Sequence, residues 1–259
     1  PDASKNPMLD QLIQNKPRLI LLSKKDKADK ELTKQWVNAL ETENQKVLAL
    51  DFIHENFSKQ LIKASNELCI NLIEKQKRRG MKPRALRAMV CGIPNVGKST
   101  FINTFAKRKA AQTGDRPGVT KSLQWIKVGQ TLELLDTPGV LWPKFESQEV
   151  ALNLSFTGTI KDEILPKVEI AYRLLKYLIE NYKSNVLERY KLEDELVSQI
   201  LNSDNEENFK IYDIMCLIGK KRGCIVSGGN VDDNKVSNII LDDFRSGKLG
   251  NITLEKAEK

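Results

Sequence analysis

The sequence predicts an α/β domain followed by a smaller, mostly helical domain. Short apolar runs of strand length alternate with segments of helical periodicity up to about Val150. A glycine-rich loop stands between one of these strands and the helix that follows it. Beyond Val150, strand patterns become sparse and helical periodicity dominates. We therefore expect the two domains at residues 1–150 and 151–259.

Composition restricts the class of protein. The 259 residues are long enough for two modest domains, and 40% of them are hydrophobic. The sequence has no apolar stretch near the ~20 residues that cross a bilayer, and the four cysteines show no CxxC spacing. We therefore expect a cytoplasmic protein without membrane association, disulfides or zinc. The net charge of +8 suits nucleic-acid binding but is also common in proteins that bind none.

The first part of the chain opens with an apolar run at 18–22, predicted as a buried strand that leads into a polar loop at 23–26. Helical spacing follows at 29–43, and a second strand is predicted at 47–50. A long amphipathic helix is predicted at 58–79.

The second part of the α/β domain begins with a strand at 88–91 and continues through the glycine-rich loop into a helix that reaches Lys109. Paired strands are predicted at 123–128 and 132–135. The alternation of strands and helices predicts a largely parallel sheet. In the second domain the clearest helical patterns cover 168–182 and 209–221.

The glycine-rich loop has the spacing Gly92-x-x-x-x-Gly97-Lys98-Ser99. Such a loop turns successive backbone N–H groups toward a phosphate chain, and the following helix adds its positive end. Lys98 can reach the β- and γ-phosphates, and the Ser99 hydroxyl can bind Mg²⁺. The predicted nucleotide-binding residues of this loop are Asn95, Val96, Gly97, Lys98, Ser99 and Thr100.

Two further segments support a phosphate and metal site. Asp136 ends a predicted strand, where an aspartate beside such a loop holds Mg²⁺, usually through water. Gly139 follows and can offer its N–H to the γ-phosphate. Thr120 lies in a Gly/Pro-containing segment between the loop and Asp136, and we expect it to complete the metal shell. The predicted metal ligands are thus Ser99, Thr120 and Asp136.

The loop after the first strand predicts the base. Guanine presents N1–H and an amino group side by side, and the carboxylate of Asp26 can accept both hydrogen bonds. The aliphatic part of the Lys24 side chain can cover the face of the base, although a solvated loop would explain this segment in isolation. The residues assigned to the base are Ser23, Lys24, Lys25 and Asp26. Asp51 and Phe52, after the second strand, are assigned as a second base segment by their position alone.

The order of these motifs is permuted, because the base loop precedes the phosphate loop. With segments 92–100, 114–120, 135–143, 155–162 and 219–223, the chain closely resembles the YlqF-type GTPases. That resemblance implies a circularly permuted P-loop GTPase domain that binds and hydrolyses GTP. It also implies assembly of the large ribosomal subunit from its precursor, with a helical C-terminal domain on ribosomal RNA. We further expect a monomer off the ribosome.

The sequence departs from the family pattern in two places, at its start and at Ser23, and from Ras-like enzymes at Val140. Members of the family begin with a further strand, which we expect to be missing here, since residues 1–7 match the stretch just after it. Ser23 replaces the asparagine of the usual base motif, which predicts looser support of the base. Val140 occupies the position of the glutamine that orients water in Ras-like enzymes. We therefore expect slow hydrolysis without ribosomal particles and assign no catalytic residue.

Other assignments stay open. Asn95 resembles an asparagine that places K⁺ near the phosphates, but a loop-capping asparagine would look the same. His54 is more simply read as an exposed surface histidine than as a catalytic one. Basic runs at 75–87, 107–109 and 220–222 suit RNA, although each alone suits a solvated face. A P-loop ATPase or nucleotide kinase, and an RNA-binding adaptor independent of nucleotide, are the alternative functions.

Overall fold

The structure, a computed structural model, describes residues 1–81, 84–106, 123–142, 145, 147–160 and 166–257. The chain divides into two compact units. The first is Pro1–Ser147 together with the C-terminal segment from Thr253, and the second is Gln148–Ile252. The sequence assigns the last residues to the helical domain, whereas the structure places them with the first unit.

The first unit alternates helices and strands. Its helices are α1 (Pro7–Ile13), α2 (Lys30–Leu40), α3 (Ser58–Leu68), α4 (Ile70–Arg78) and α5 (Lys98–Ala106). Its strands are β1 (Arg18–Leu22), β2 (Gln45–Ala49), β3 (Leu86–Val90), β4 (Gln124–Val128) and β5 (Leu132–Asp136). A single turn of 3-10 helix, Lys25–Lys27, follows β1. The mixed α/β class is as predicted.

The described strands form two sheets, whereas the sequence predicts one. Strands β1 and β2 pair in parallel, with Ile20 opposite Val47. Strand β5 lies between β3, which is parallel to it, and β4, which is antiparallel. Within the described residues, β1 and β3 each pair along one edge only, so the two sheets are not joined by hydrogen bonds.

One hydrophobic core nevertheless serves both sheets. Helices α3 and α5 contribute Leu61, Phe101 and Phe105 to it, and the rings of Phe101 and Phe105 stack with their centroids 5.8 Å apart. Ile102 of α5 is a further buried member, and strands and loops contribute Leu50, Phe52, Phe57, Ile126, Leu132 and Leu134. Because core and loops share residues, the strand ends that carry polar loops are anchored in the same apolar cluster.

The prediction of one helix at 58–79 was wrong. Cys69, with φ −100° and ψ 14°, leaves helical geometry and separates α3 from α4. Its N–H still donates to the Ser65 carbonyl, which closes the last turn of α3. The sequence carries no glycine or proline at this point, so apolar periodicity alone could not reveal the break.

The second unit is helical in its described residues. Its helices are α6 (Gln148–Phe156), α7 (Lys167–Tyr190), α8 (Asp194–Leu201), α9 (Glu207–Lys221) and α10 (Asp233–Ser246). Helix α7 packs against α6, α9 and α10, and its fully buried Leu174 and Leu178 lie at the centre of this unit. It continues beyond the predicted end at Tyr182, where a non-helical φ of −140° marks a kink. None of the helices described has the length and apolar content that crossing a membrane requires.

Candidate nucleotide-binding site

The phosphate loop joins the end of β3 to the start of α5. Asn95 and Gly97 adopt left-handed backbone conformations, with φ of 58° and 98°. Such angles are rare for residues other than glycine and asparagine, so both residue types suit their positions. The Phe101 N–H donates to the Gly97 carbonyl at 2.8 Å, which begins the helix directly behind the loop. The start of α5 therefore lies directly behind the loop, where backbone N–H groups of a first helical turn can bind an anion.

Lys98 lies folded over this loop. Its Nζ donates to the carbonyl oxygens of Gly92 at 2.9 Å and Ile93 at 2.7 Å. Burial lowers the pKa of Lys98, while the charges of Asp136 and Cys91 oppose that shift. The ammonium is thus held beside the loop, where phosphate oxygens can take over from the two carbonyls.

Asp136 is placed by strand pairing. It stands opposite Val90, the last residue of β3, so its carboxylate lies beside the start of the loop. The side chain is buried, and Oδ1 has no hydrogen-bond partner among the described residues. Burial raises the pKa of Asp136, against the attraction of Lys98. A buried carboxylate oxygen without a donor is suited to a hard cation such as Mg²⁺.

Ser99 and Thr120 are the other predicted metal ligands. Ser99 lies in the first turn of α5, directly after Lys98. Thr120 lies outside the described residues. No group of three or more His, Cys, Asp or Glu side chains occurs in the described part of the chain. Mg²⁺ commonly takes one or two protein ligands together with phosphate oxygens and water.

The segment after Asp136 lies directly on the phosphate loop. A Cβ at Gly139 would stand 2.8 Å from Pro94 Cα and 2.9 Å from Lys98 Nζ, so only glycine fits there. The Val140 N–H donates to the Gly92 carbonyl at 3.4 Å. The Thr137 hydroxyl donates to the Val90 carbonyl at 2.7 Å, a contact that sequence reasoning missed. Its only sequence signal was a polar residue immediately after a strand.

The base loop follows β1. Lys24 has a left-handed φ of 57°, and Asp26 is exposed in the 3-10 turn behind it. The Lys25 N–H donates to the Leu50 carbonyl at 3.4 Å, and Lys25 Nζ lies 2.6 Å from Glu55 Oε1. The structure therefore brings the loop at 23–26 beside the loop after β2. The Lys25 side chain forms an ion pair with Glu55, a partner that the sequence did not indicate.

Asp51 stabilises its own loop. Its carboxylate accepts hydrogen bonds from the Ile53 N–H at 2.8 Å and the His54 N–H at 3.2 Å, and lies 2.6 Å from the His54 ring nitrogen Nδ1. Burial raises the pKa of Asp51, but these hydrogen bonds outweigh it and the net shift is downward. The His54 side chain is 71% exposed. The Asp51 carboxylate thus has a loop-forming role, and its contact with the base stays a prediction.

Phe52 is also engaged elsewhere. Its ring is buried among Phe57 and Phe101, at centroid distances of 5.5 and 5.3 Å. The same ring lies under the phosphate loop, since a Cβ at Gly97 would meet it at 3.4 Å. Phe52 therefore supports the phosphate loop from the core, and its contact with the base stays a prediction.

The basic segment of the helical unit contains two kinds of cation. Lys220 and Lys221 end α9 with exposed side chains. Arg222 instead lies 5.2 Å above the Tyr190 ring and donates to the Arg189 carbonyl at 3.0 Å. Arg189 in turn forms a two-pronged pair with the buried Asp243, at 2.7 and 2.9 Å. Only the two lysines are presented outward without such packing.

Comparison with known proteins agrees with this geometry. Residues 87–211 match a family model described as "50S ribosome-binding GTPase". Proteins named "Ribosome biogenesis GTPase A" from Bacillus pumilus and Bacillus licheniformis are each 45% identical over 258 residues, covering 100% of this chain and 87% of theirs. A crystal structure of GNP-bound YlqF from T. maritima covers 100% of this chain and 88% of that one, with a TM-score of 0.63 and 23% identity.

Proposed function

We propose a function from one premise, which is that the chain belongs to the ribosome biogenesis GTPase A family. As a member of that family it is a GTP-hydrolysing enzyme with a role in ribosome assembly. We infer that it acts on the precursor of the large subunit, in the cytoplasm, as a monomer. The observation that carries the enzymatic part is the placement of Asp136, Gly139 and Lys98 around one glycine-rich loop.

The nucleotide is held from two ends in this proposal. The loop at 95–100 binds the phosphates, and Asp26 accepts hydrogen bonds from guanine N1–H and its amino group. Ser99, Asp136 and Thr120 would hold Mg²⁺, and the unpartnered Oδ1 of Asp136 supports that assignment. When bound, Mg²⁺ would neutralise negative charge on the β- and γ-phosphates.

Hydrolysis should be slow in the isolated protein. Val140 follows Gly139 with a 57% exposed apolar side chain, which cannot orient an attacking water. The left-handed backbone at Asn95 is compatible with a K⁺ site beside the phosphates. We therefore propose that ribosomal particles and K⁺ stimulate a basal rate well below the ~1–10³ s⁻¹ common among enzymes.

The helical unit is the proposed RNA-binding part. Lys220 and Lys221 support this assignment, because exposed cations can displace the counterions of phosphate groups. Nucleotide state would control the binding, since the chain runs from the γ-phosphate segment at 136–139 into the helical unit, which begins at Gln148.

The decisive experiment measures GTP hydrolysis with and without large-subunit particles, in K⁺ and in Na⁺. We expect stimulation by particles and a higher rate in K⁺. Equal rates in both salts would remove the K⁺ site alone. Equal rates with and without particles, together with RNA binding that ignores nucleotide, would favour the nucleotide-independent adaptor.

RNA binding has its own test. Replacing Lys220 and Lys221 by alanine should lower the salt dependence of binding to large-subunit RNA by about two units of slope. The matched control replaces Lys59 and Lys63, two exposed lysines of α3, and removes the same charge. A similar loss of slope in both double variants would show general electrostatics instead of a specific site.

A further inference from the structure

The C-terminal segment from Thr253 returns to the first unit and meets the end of the base loop. The Asp29 N–H donates to the Thr253 hydroxyl at 3.0 Å, across 224 positions of sequence. Two residues further on, the Glu255 carbonyl accepts from the indole N–H of Trp36, also at 3.0 Å. Both donors belong to α2 or its cap, and α2 is the helix that follows the base loop.

Asp29 fixes where that loop ends. Its side chain caps α2 by accepting from the Glu31 and Leu32 N–H groups, each at 2.9 Å. The turn that carries Asp26 is closed just before it, by the Ala28 N–H donating to the Lys25 carbonyl at 3.3 Å. Asp26 thus lies three residues before a backbone group that Thr253 holds.

The segment that supplies Thr253 is itself firmly placed. Thr253 and Trp36 are only 8% and 7% exposed, so their hydrogen bonds are largely shielded from water. The Glu255 carboxylate accepts from the backbone N–H groups of Asp2 and Ala3, at 2.8 and 2.9 Å. Removing one partner from a buried hydrogen bond leaves the other unsatisfied, which makes such contacts costly to break.

We propose that Thr253 is a positioning residue for guanine recognition, acting through Asp29 on the loop that carries Asp26. The idea rests on the proposed role of Asp26. The helical unit ends at Ile252, and the next residue, Thr253, contacts Asp29 at the end of the base loop. The chain thus enters the helical unit at Gln148, after the phosphate segment, and returns at Thr253 to the unit that carries the base loop.

The test compares GTP with inosine triphosphate, whose base lacks the amino group of guanine. Thr253→Val removes the hydroxyl with little change in shape, and Thr253→Ser restores it. The measured quantity is the affinity for GTP divided by the affinity for inosine triphosphate. We expect this ratio to fall roughly three- to tenfold in Thr253→Val and to recover in Thr253→Ser. Ser237→Ala, which removes a buried hydroxyl of the helical unit, should leave the ratio unchanged.

A purely structural role predicts a different result. Thr253→Val would then lower the melting temperature while the ratio stayed at the wild-type value, and that outcome overturns the proposal. If Thr253→Val does not fold, Trp36→Phe tests the same segment, because it keeps a smaller aromatic ring and removes the N–H that donates to the Glu255 carbonyl. A wild-type ratio in folded Trp36→Phe would also contradict a role of the C-terminal segment in positioning the base loop.

Asp26→Asn distinguishes failure of the proposed base site from failure of the positioning role of Thr253. A collapsed ratio in Asp26→Asn with a normal ratio in Thr253→Val would keep the base site and remove the role of Thr253. An unchanged ratio in Asp26→Asn would remove the base site itself, and with it the basis for the positioning role.

Discussion

The two ends of the proposed nucleotide site are built in different ways. The phosphate end uses one short loop, the helix behind it and the neighbouring strand, so Lys98, Gly92 and Asp136 are fixed by local geometry and one strand pair. The base end joins three segments that are far apart in sequence: the loop at 23–29, the loop after β2 and the segment from Thr253. Changes at the phosphate end should therefore act directly, and changes at the base end should act through neighbours.

The largest effect is expected at Lys98. Lys98→Ala removes the ammonium that lies over the phosphate loop, and charge-assisted contacts of this kind are among the strongest in proteins. We expect GTP and GDP affinity to fall on the order of a hundredfold. Titration calorimetry measures the loss, and circular dichroism should show an unchanged fold. Loss of affinity smaller than twofold would mean that Lys98 does not bind phosphate.

Gly139 tests the close packing of the two phosphate segments. In Gly139→Ala the new Cβ would lie 2.8 Å from Pro94 Cα, a backbone atom that cannot move aside cheaply. We expect overpacking to lower the free energy of unfolding by about 1–3 kcal/mol and to weaken nucleotide binding as well. Gly129→Ala is the control, since its Cβ meets no atom within 4 Å, although its positive φ carries a strain of its own. Equal stability of Gly139→Ala and wild type would contradict the close approach.

Asp26 tests the base end directly. Asp26→Asn exchanges an acceptor for a donor, so GTP should bind roughly tenfold more weakly and xanthosine triphosphate more tightly. Competition binding with both nucleotides measures the exchange. If GTP affinity in this variant equals that of the wild type, another residue reads the base.

Glu55 should give the smallest effect. Its pair with Lys25 is 2.6 Å long, but the two side chains are 40% and 45% exposed. The hydrogen bond from Lys25 lowers the pKa of Glu55. Because exposed pairs contribute about 0–1 kcal/mol, Glu55→Gln should weaken GTP binding by no more than a few fold, and most at low salt. A loss as large as that of Asp26→Asn would show that Glu55 itself contacts the nucleotide.

Much of the phosphate end could be predicted from sequence because its geometry depends on neighbours in the chain. Glycine and asparagine at left-handed positions, a strand before the loop and a helix after it all appear in one run of residues. Asp136 could be added because it ends a strand, and parallel strands bring their carboxyl ends to one edge. The helical character of the second unit could also be predicted, since periodicity in α7 and α9 is a local property.

Tertiary structure alone decided the rest. The position of Phe52 in the core under Gly97 is one example, and it arises because an aromatic side chain is stabilised where it loses most contact with water. The pairing of Lys25 with Glu55, and of Asp29 with Thr253, joins residues 30 and 224 positions apart. Neither pair leaves a pattern in the sequence, because distant segments meet only when the shared core has brought their backbones together.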